Sequence, residues 1–298
     1  MLRRVNGARL RAPVTTALSP RRIAAGGSSA LDADSDAPLI IEGATVSWDA
    51  AACWSPALLK ERFPTETFAV ATDGGDEITI ADAFDSRDYL FDDCFSRFPA
   101  LAREYTPPPP FPTAPEADYV FHQTSFSALR PAARWLLICA EGKGVGIHVD
   151  PRGTSAWNAL LFGRKRWALL PPTTPLSVAL AGARTLESDE AALLSAAAWF
   201  HTCAPALRSN ATAGLVEFVQ EAGEIVFIPR GWWHVALAEA PECVGVTHNF
   251  LTQAGFEHDV LKLCESAGGA QAARAWLARV LDAGLRVDEC VRARVLNS

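Results

Sequence analysis

The sequence predicts a mainly β domain, a sandwich or barrel of short strands, with helices flanking it. Between Trp135 and Phe250 short strand-like patterns follow one another, and Gly or Pro separates many of them. Beyond Phe256 the apolar spacing changes to a helical one. The chain has 298 residues, 49% of them hydrophobic, which allows one large domain with a full core or two small ones.

The first 31 residues are of a different kind. They carry six arginines (Arg3, Arg4, Arg9, Arg11, Arg21 and Arg22) and no acid before Asp32. Residues 1–36 therefore read as a disordered tail or an organelle-targeting segment, outside the fold. Order is expected to begin near Pro38, with Leu39-Ile40-Ile41 as a short buried strand. Ser55-Pro56 opens a helix through Arg62, the serine capping and the proline sitting where its missing N–H costs nothing. Thr67–Ala71 and Glu77–Ala81 read as strands across the turn Asp73-Gly74-Gly75. Pro107–Pro110 reads as a surface loop.

The strand series then comprises Trp135–Cys139, Ile147–Val149, Ser155–Phe162, Trp167–Leu170, Leu215–Gln220, Glu224–Ile228 and Cys243–Asn249. A helix capped by Ser188 and running through Glu190, Leu193, Leu194 and Trp199 interrupts it. Val260–Cys264 should form a helix that Gly268-Gly269 stops, and Ala275–Leu281 a second. Those C-terminal helices, residues 256–298, either cover the barrel or support a homodimer.

Composition narrows the function classes. The net charge is −7, so no basic excess indicates a nucleic-acid surface. No apolar run approaches the roughly 18 residues that span a bilayer. The seven cysteines are widely spaced and include no C-x-x-C pair, the pattern of a reduced intracellular protein.

The chemistry is concentrated in three places. In Gly146-Ile147-His148-Val149-Asp150, a strand with period two projects His148 and Asp150 to one face. Such a pair about 7 Å apart can converge on an ion, although many His-x-Asp triplets are ordinary surface pairs. Downstream, Gly223–Ile228 is a strand running into Pro229-Arg230-Gly231, and His234 opens the next strand. Two histidines and one carboxylate leave three coordination positions open, which is the facial triad of non-haem iron(II) oxygenases. The zinc hydrolase pattern H-E-x-x-H is absent. The plainer reading pairs His148 with Asp150 and makes His234 a core histidine, as for His122, His201, His248 and His258.

Iron chemistry of this kind draws two electrons from 2-oxoglutarate, whose distal carboxylate needs a buried cation. Asn158–Trp167 reads as a hairpin with Gly163 at the turn. Lys165 shares a face with Trp167 and Leu169, which places an ammonium among core residues, while Arg164 and Arg166 face outward. The alternative makes all three solvated turn charges. Thr247, on the strand ending at Asn249, can add a hydroxyl donor.

Taken together, Gly-Ile-His-Val-Asp-Pro-Arg-Gly-Thr-Ser-Ala-Trp-Asn-Ala-Leu (146–160), Gly-Arg-Lys-Arg-Trp (163–167), Gly-Glu-Ile-Val-Phe-Ile-Pro (223–229), Gly-Trp-Trp-His-Val (231–235) and Thr-His-Asn-Phe (247–250) resemble the Jumonji-C (JmjC) family of 2-oxoglutarate oxygenases. Within it the likeness is to the bifunctional arginine demethylase and lysyl hydroxylase subfamily. The resemblance implies a double-stranded β-helix, a jelly-roll and cupin-like barrel, over residues 37–255 with N-terminal flanking elements. It implies iron(II) at His148, Asp150 and His234, with O2 as oxidant. It puts Asn158, Lys165 and Thr247 where the family contacts 2-oxoglutarate, with Tyr89 close by.

Two departures stand out. Val145 occupies a position where the subfamily has a threonine touching the cosubstrate. The interval from His234 to Thr247 is one residue longer, which suggests a bulge or longer turn around Pro241. The expected activity is hydroxylation of lysine or demethylation of N-methyl-arginine in a protein or peptide. The competing readings are an oxygenase acting on RNA or a small molecule, and a weakly catalytic cupin-like binding module. The family likeness implies nucleus or cytoplasm, whereas the Arg-rich start is compatible with an organelle.

Overall fold

The computed structural model of the chain describes residues 18–25, 35–71, 76–85, 89–108, 111, 133–150, 153–180, 194–250, 252, 269–282, 287 and 289–297. Its centre is a pair of facing sheets. Eight strands run in order: β6 (Arg134–Ala140), β7 (Gly144–His148), β8 (Ser155–Phe162), β9 (Arg164–Leu170), β10 (Val216–Glu221), β11 (Ile225–Ile228), β12 (Trp233–Ala238) and β13 (Glu242–Phe250). They divide into β11-β8-β13-β6 in one sheet and β10-β9-β12-β7 in the other. Almost every connection carries the chain from one sheet to the other, the winding of a jelly roll. The mainly β class with flanking helices is as expected.

The larger sheet continues at both edges through β1 (Arg21–Ala24), β2 (Leu39–Glu42) and β5 (Leu90–Asp92). A separate hairpin pairs β3 (Thr67–Ala69) with β4 (Glu77–Thr79). The outer face of the large sheet is covered by N-terminal helices. Trp54, Leu59, Phe68 and Leu90 pack there against Trp157, Phe227 and Val246. This explains why β8 is buried along six consecutive residues rather than alternately. Behind the small sheet, the helix Ala196–Thr202 packs Trp199 against Ala168, Leu170 and Val235.

Several local expectations are corrected. Gly163 does not turn a hairpin, because β8 and β9 pair with different neighbours in different sheets. A single residue is too short for a two-residue hairpin loop, and with φ of 90° Gly163 instead bends the chain from one sheet into the other. The helix bearing Trp199 is capped by Ser195, which accepts from the Ala198 N–H at 3.2 Å, and Leu194 lies before its start. Ser188 and Glu190 fall outside the described residues. Ile80 opens a helix, Ile80–Asp85, instead of continuing a strand.

Arg21–Ala24 lie within the stretch set aside from the fold, yet form a parallel edge strand on β2. Charge holds it: the Arg22 guanidinium pairs with Glu42 and Glu224. The expected turn Asp73–Gly75 and the helix Val260–Cys264 lie outside the described residues. Gly269 begins the next helix, Gly269–Asp282, and a further helix, Glu289–Asn297, follows. Among the described residues no helix is long and apolar enough to cross a membrane.

Candidate metal centre and its pocket

The two sheets enclose a cavity of about 240 Å³. All seven candidate residues line it. The β12–β9 register sets His234, grouped with His148 and Asp150, four positions from Lys165, which lies over Tyr89, and Asn158 and Thr247 line the same cavity. Val145 is also in the wall.

His148 is the last residue of β7, and His234 stands directly opposite it on β12. Asp150 lies just past the end of β7, so loop geometry rather than strand alternation delivers it. The Asp150 Oδ1 is 3.8 Å from Nε2 of His148 and 3.8 Å from Nε2 of His234. One ligand atom from each residue lies within 4.8 Å of the others.

The hydrogen bonds behind the rings determine what faces inward. His148 Nδ1 donates to the Gly146 carbonyl at 2.8 Å, and His234 Nδ1 to the Trp232 carbonyl at 3.0 Å. Each bond leaves its Nε2 as a bare lone pair. Burial, reinforced by His234, pushes the His148 imidazole down to about 4, against the pull of Asp150, so it is neutral at ordinary pH. Two lone pairs and a carboxylate oxygen therefore converge, an arrangement of acceptors that calls for a cation. Metal–nitrogen bonds near 2.1 Å put neighbouring donors about 3 Å apart, so the three atoms need draw in by less than about 1 Å. The donor set suits iron(II).

At the far end Lys165 is 3% exposed. Its Nζ sits 5.9 Å from the centre of the Tyr89 ring, and among the described residues no carboxylate pairs with it. A buried ammonium without a counter-ion is costly. Ala238 is opposite Lys165 on the β12–β9 ladder, and His234 is opposite Leu169. The ends of the cavity are thus four residues apart along the strands, about 13 Å. A five-carbon dicarboxylate bound at both ends matches that span.

Between the ends, the buried Asn158 Oδ1 has no hydrogen-bond partner. Thr247 donates its hydroxyl to the Trp157 carbonyl at 2.9 Å and so offers the cavity an acceptor rather than the donor expected. Between His234 and Thr247 the register shifts twice, between His234 and Ala236 on the β12–β7 ladder and between Val244 and Gly245 on the β13–β8 ladder, rather than at the turn expected around Pro241. His248 belongs to the opposite face. It stacks on Trp157 and hydrogen-bonds the Tyr105 hydroxyl at 2.6 Å through Nε2, a satisfied core histidine as read from sequence. His201 is exposed on its helix, and His122 and His258 lie outside the described residues.

Sequence reasoning missed two polar residues. Asn249 lines the cavity two positions beyond Thr247, on the same face of β13. Gln220 is fully buried, accepts from Trp167 Nε1 at 2.9 Å, and donates to the backbone carbonyls of Asn158 and Glu224. It braces Asn158 from behind. A glutamine on the apolar face that Val216 and Phe218 define was the available signal.

Comparison with known proteins agrees with this geometry. Residues 135–250 match the family described as "JmjC domain, hydroxylase". The chain is 32% identical over 232 residues to the Caenorhabditis elegans protein named "Bifunctional arginine demethylase and lysyl-hydroxylase psr-1", covering 72% of this chain and 55% of that one. It is 33% identical over 242 residues to the Arabidopsis thaliana "Lysine-specific demethylase JMJ21", covering 75% of this chain and 24% of that one. Over 125 residues, 40% of this chain and 26% of the relative, it is 32% identical to the Gallus gallus "2-oxoglutarate and iron-dependent oxygenase JMJD4". The chain thus spans about half the length of the first of these relatives and less of the others.

Proposed function

Residues 135–250 of the chain are a JmjC domain, and on that premise we propose that the protein is an iron(II)- and 2-oxoglutarate-dependent dioxygenase that hydroxylates lysine or demethylates N-methyl-arginine in protein substrates. One observation carries this reading: a single cavity has three converging acceptors at one end and a buried, carboxylate-free ammonium at the other. The name of the Caenorhabditis relative supports the choice of substrate side chains. The net charge of −7 favours cationic side chains over a polyphosphate partner.

In this reading His148, Asp150 and His234 hold the metal through Nε2, a carboxylate oxygen and Nε2. Gly146 and Trp232 fix the imidazole orientation through their carbonyls. Lys165 takes the distal carboxylate of 2-oxoglutarate, and the Tyr89 ring beneath it keeps water from that ion pair. Asn158, braced by Gln220, and Thr247 orient the cosubstrate between the ends. Iron(II) with 2-oxoglutarate and O2 supplies an oxidant that inserts oxygen into an unactivated C–H bond, releasing succinate and carbon dioxide. The substrate's own chemistry decides the product. A hydroxylated lysine carbon is a stable alcohol, whereas a hydroxylated N-methyl group is lost as formaldehyde.

The test is anaerobic binding of iron(II) and 2-oxoglutarate to the purified chain, then succinate release in air with lysine- and methyl-arginine-containing peptides. Binding and turnover by the parent, both lost in His148→Ala, support the assignment. A folded parent that binds iron(II) but neither binds nor consumes 2-oxoglutarate overturns it.

A further inference from the structure

Beside the Lys165 end of the cavity lies a second cluster of reactive groups that the proposed chemistry does not use. Cys139 on β6 and Cys243 on β13 are register partners in an antiparallel ladder. Directly opposed residues point to the same face, with Cα atoms about 4.5 or 5.5 Å apart depending on the hydrogen-bonding position. Both spacings fall within the Cα range of disulfides, roughly 4.4–6.8 Å. Both thiols are buried and pack in one cluster with Ala238, against Tyr89 and Ala240. Ala238 is the register partner of Lys165. The Cys243 thiol donates to the carbonyl of Arg164, the neighbour of Lys165, at 3.3 Å. Cys53, Cys94 and Cys203, like Cys139 and Cys243, are in no disulfide, and among the described residues none of those three has a cysteine as strand-register partner.

We propose that Cys139 and Cys243 form a thiol–disulfide pair, a modification site that a peroxide oxidises within the folded protein. The strand register supplies the geometry and Lys165 the positive charge that favours a thiolate. Contact with Cys139 holds the Cys243 thiol below the ordinary range, and Lys165 adds to this against the opposing effect of burial; Cys139 is pushed up. Cys243, whose sulfur touches the backbone of Arg164 next to Lys165, is the attacking sulfur and Cys139 the resolving one. In the first step the Cys243 thiolate bonds to one peroxide oxygen. The O–O bond breaks, and the departing hydroxide takes a proton to become water, leaving a sulfenic acid. In the second step the Cys139 sulfur attacks the Cys243 sulfur. The S–O bond breaks, and the hydroxide leaves as water with the Cys139 proton. Two thiols and one hydrogen peroxide give one disulfide and two waters.

The experiment needs neither metal nor cosubstrate, so it stands apart from the activity proposed above. The full chain is treated with hydrogen peroxide under native conditions, the remaining thiols are blocked with N-ethylmaleimide, and peptides are mapped by mass spectrometry. The expected result is a loss of two hydrogen atoms, a cross-linked peptide joining Cys139 to Cys243, and reversal by dithiothreitol. Because the link closes a loop of roughly 100 residues, the oxidised chain should also melt at a higher temperature. In Cys139→Ala, a stalled sulfenic acid on Cys243 should be trapped by dimedone. A parent that remains folded by circular dichroism, is oxidised at Cys290 and yields no Cys139–Cys243 link overturns the proposal. That readout is made on the parent chain, so it does not depend on the variant folding.

Discussion

His148 and His234 face each other across the β7–β12 ladder at the point where its register slips, and their ring centres are 4.1 Å apart. The slip lies between His234 and Ala236. A β-bulge of this kind re-aims a side chain. Here it coincides with two imidazoles whose outer nitrogens are both tied to carbonyls, leaving the inner two as lone pairs.

From that pairing comes the first prediction. His234→Ala removes one of three donors and should weaken iron(II) binding by at least about 100-fold, in line with the loss of a metal ligand or its support. Anaerobic titration followed by ultraviolet absorption checks it. Far-ultraviolet circular dichroism should remain that of the parent, because removing a converging acceptor relieves repulsion in the metal-free protein. Unchanged iron binding would place the metal elsewhere.

Lys165→Met separates stability from binding. The substitution replaces a buried, carboxylate-free ammonium with an apolar chain of similar length, a change that is often neutral or stabilising. The melting temperature should hold or rise. Affinity for 2-oxoglutarate, measured by calorimetry with manganese(II) in place of iron(II), should fall by at least about tenfold, the effect of roughly 1.4 kcal/mol. A variant that binds the dicarboxylate as the parent does would remove Lys165 from the anchoring role.

How much of this was legible from the sequence depends on the physics behind each feature. Lys165 was readable because strand alternation puts it beside Trp167 and Leu169, and the structure buries all three. The convergence of His148 and Asp150 was foreseen, but through a strand that in fact ends at His148. Arg21–Ala24 gave little apolar signal, since only Ile23 packs against the core while ion pairs from Arg22 to Glu42 and Glu224 attach the strand to the sheet. Gly163 was seen as a turn, but whether a turn returns a strand to its own sheet or sends it to the facing one is decided by pairing partners far along the chain. The helix bearing Trp199 starts later than expected, capped by Ser195, because several serines precede it and local sequence does not rank them as caps. Gln220 was missed because its value lies in groups that folding brings to it, the Asn158 carbonyl of β8 and the Trp167 indole of β9, besides the carbonyl of Glu224 in the turn that follows it.

Acid sensitivity should follow Glu217. Burial alone would raise its carboxyl. Hydrogen bonds from Arg208, together with the charges of Arg208 and Arg166, outweigh burial and hold it below its ordinary value of 4.5. A depressed carboxylate contributes stability that is fully present above the unfolded-state value and is lost as pH falls through the folded-state one. Glu217→Gln should therefore lower stability by about 1 kcal/mol at pH 7, with the difference from the parent shrinking below about pH 4.5. Urea midpoints between pH 7 and pH 3 test this. A difference that does not vary with pH would assign the loss to packing.

Gly163→Ala should be among the more damaging single changes in the barrel. The left-handed conformation alone costs about 1–2 kcal/mol for a residue with a Cβ. That Cβ would also lie 2.3 Å from the Glu242 carbonyl oxygen and 2.7 Å from the Cys243 sulfur. The backbone at Glu242 must move, so a total loss of about 3 kcal/mol or more is expected from thermal or urea unfolding. A loss below about 1 kcal/mol would mean that the crossing between sheets yields easily.

Val145→Thr probes the departure in the cavity wall. Valine and threonine have nearly the same shape, so the exchange adds a hydroxyl without changing the volume of the cavity. The position faces the same space as Asn158 Oδ1, which has no partner, and as Thr247, whose hydroxyl hydrogen is committed to Trp157. A threonine there adds a hydroxyl donor to the wall. One hydrogen bond to a carboxylate is worth about 1–2 kcal/mol net, so 2-oxoglutarate should bind roughly five- to thirtyfold more tightly. The cost is partial desolvation of the hydroxyl in the cosubstrate-free protein, which should lower the melting temperature slightly until 2-oxoglutarate is added. Tighter binding with a recovered melting temperature would mean that the cosubstrate passes beside residue 145 on its way from the histidines to Lys165. Unchanged affinity with a lower melting temperature would mean that it follows the Asn158 wall instead, leaving Lys165 to carry the distal carboxylate alone.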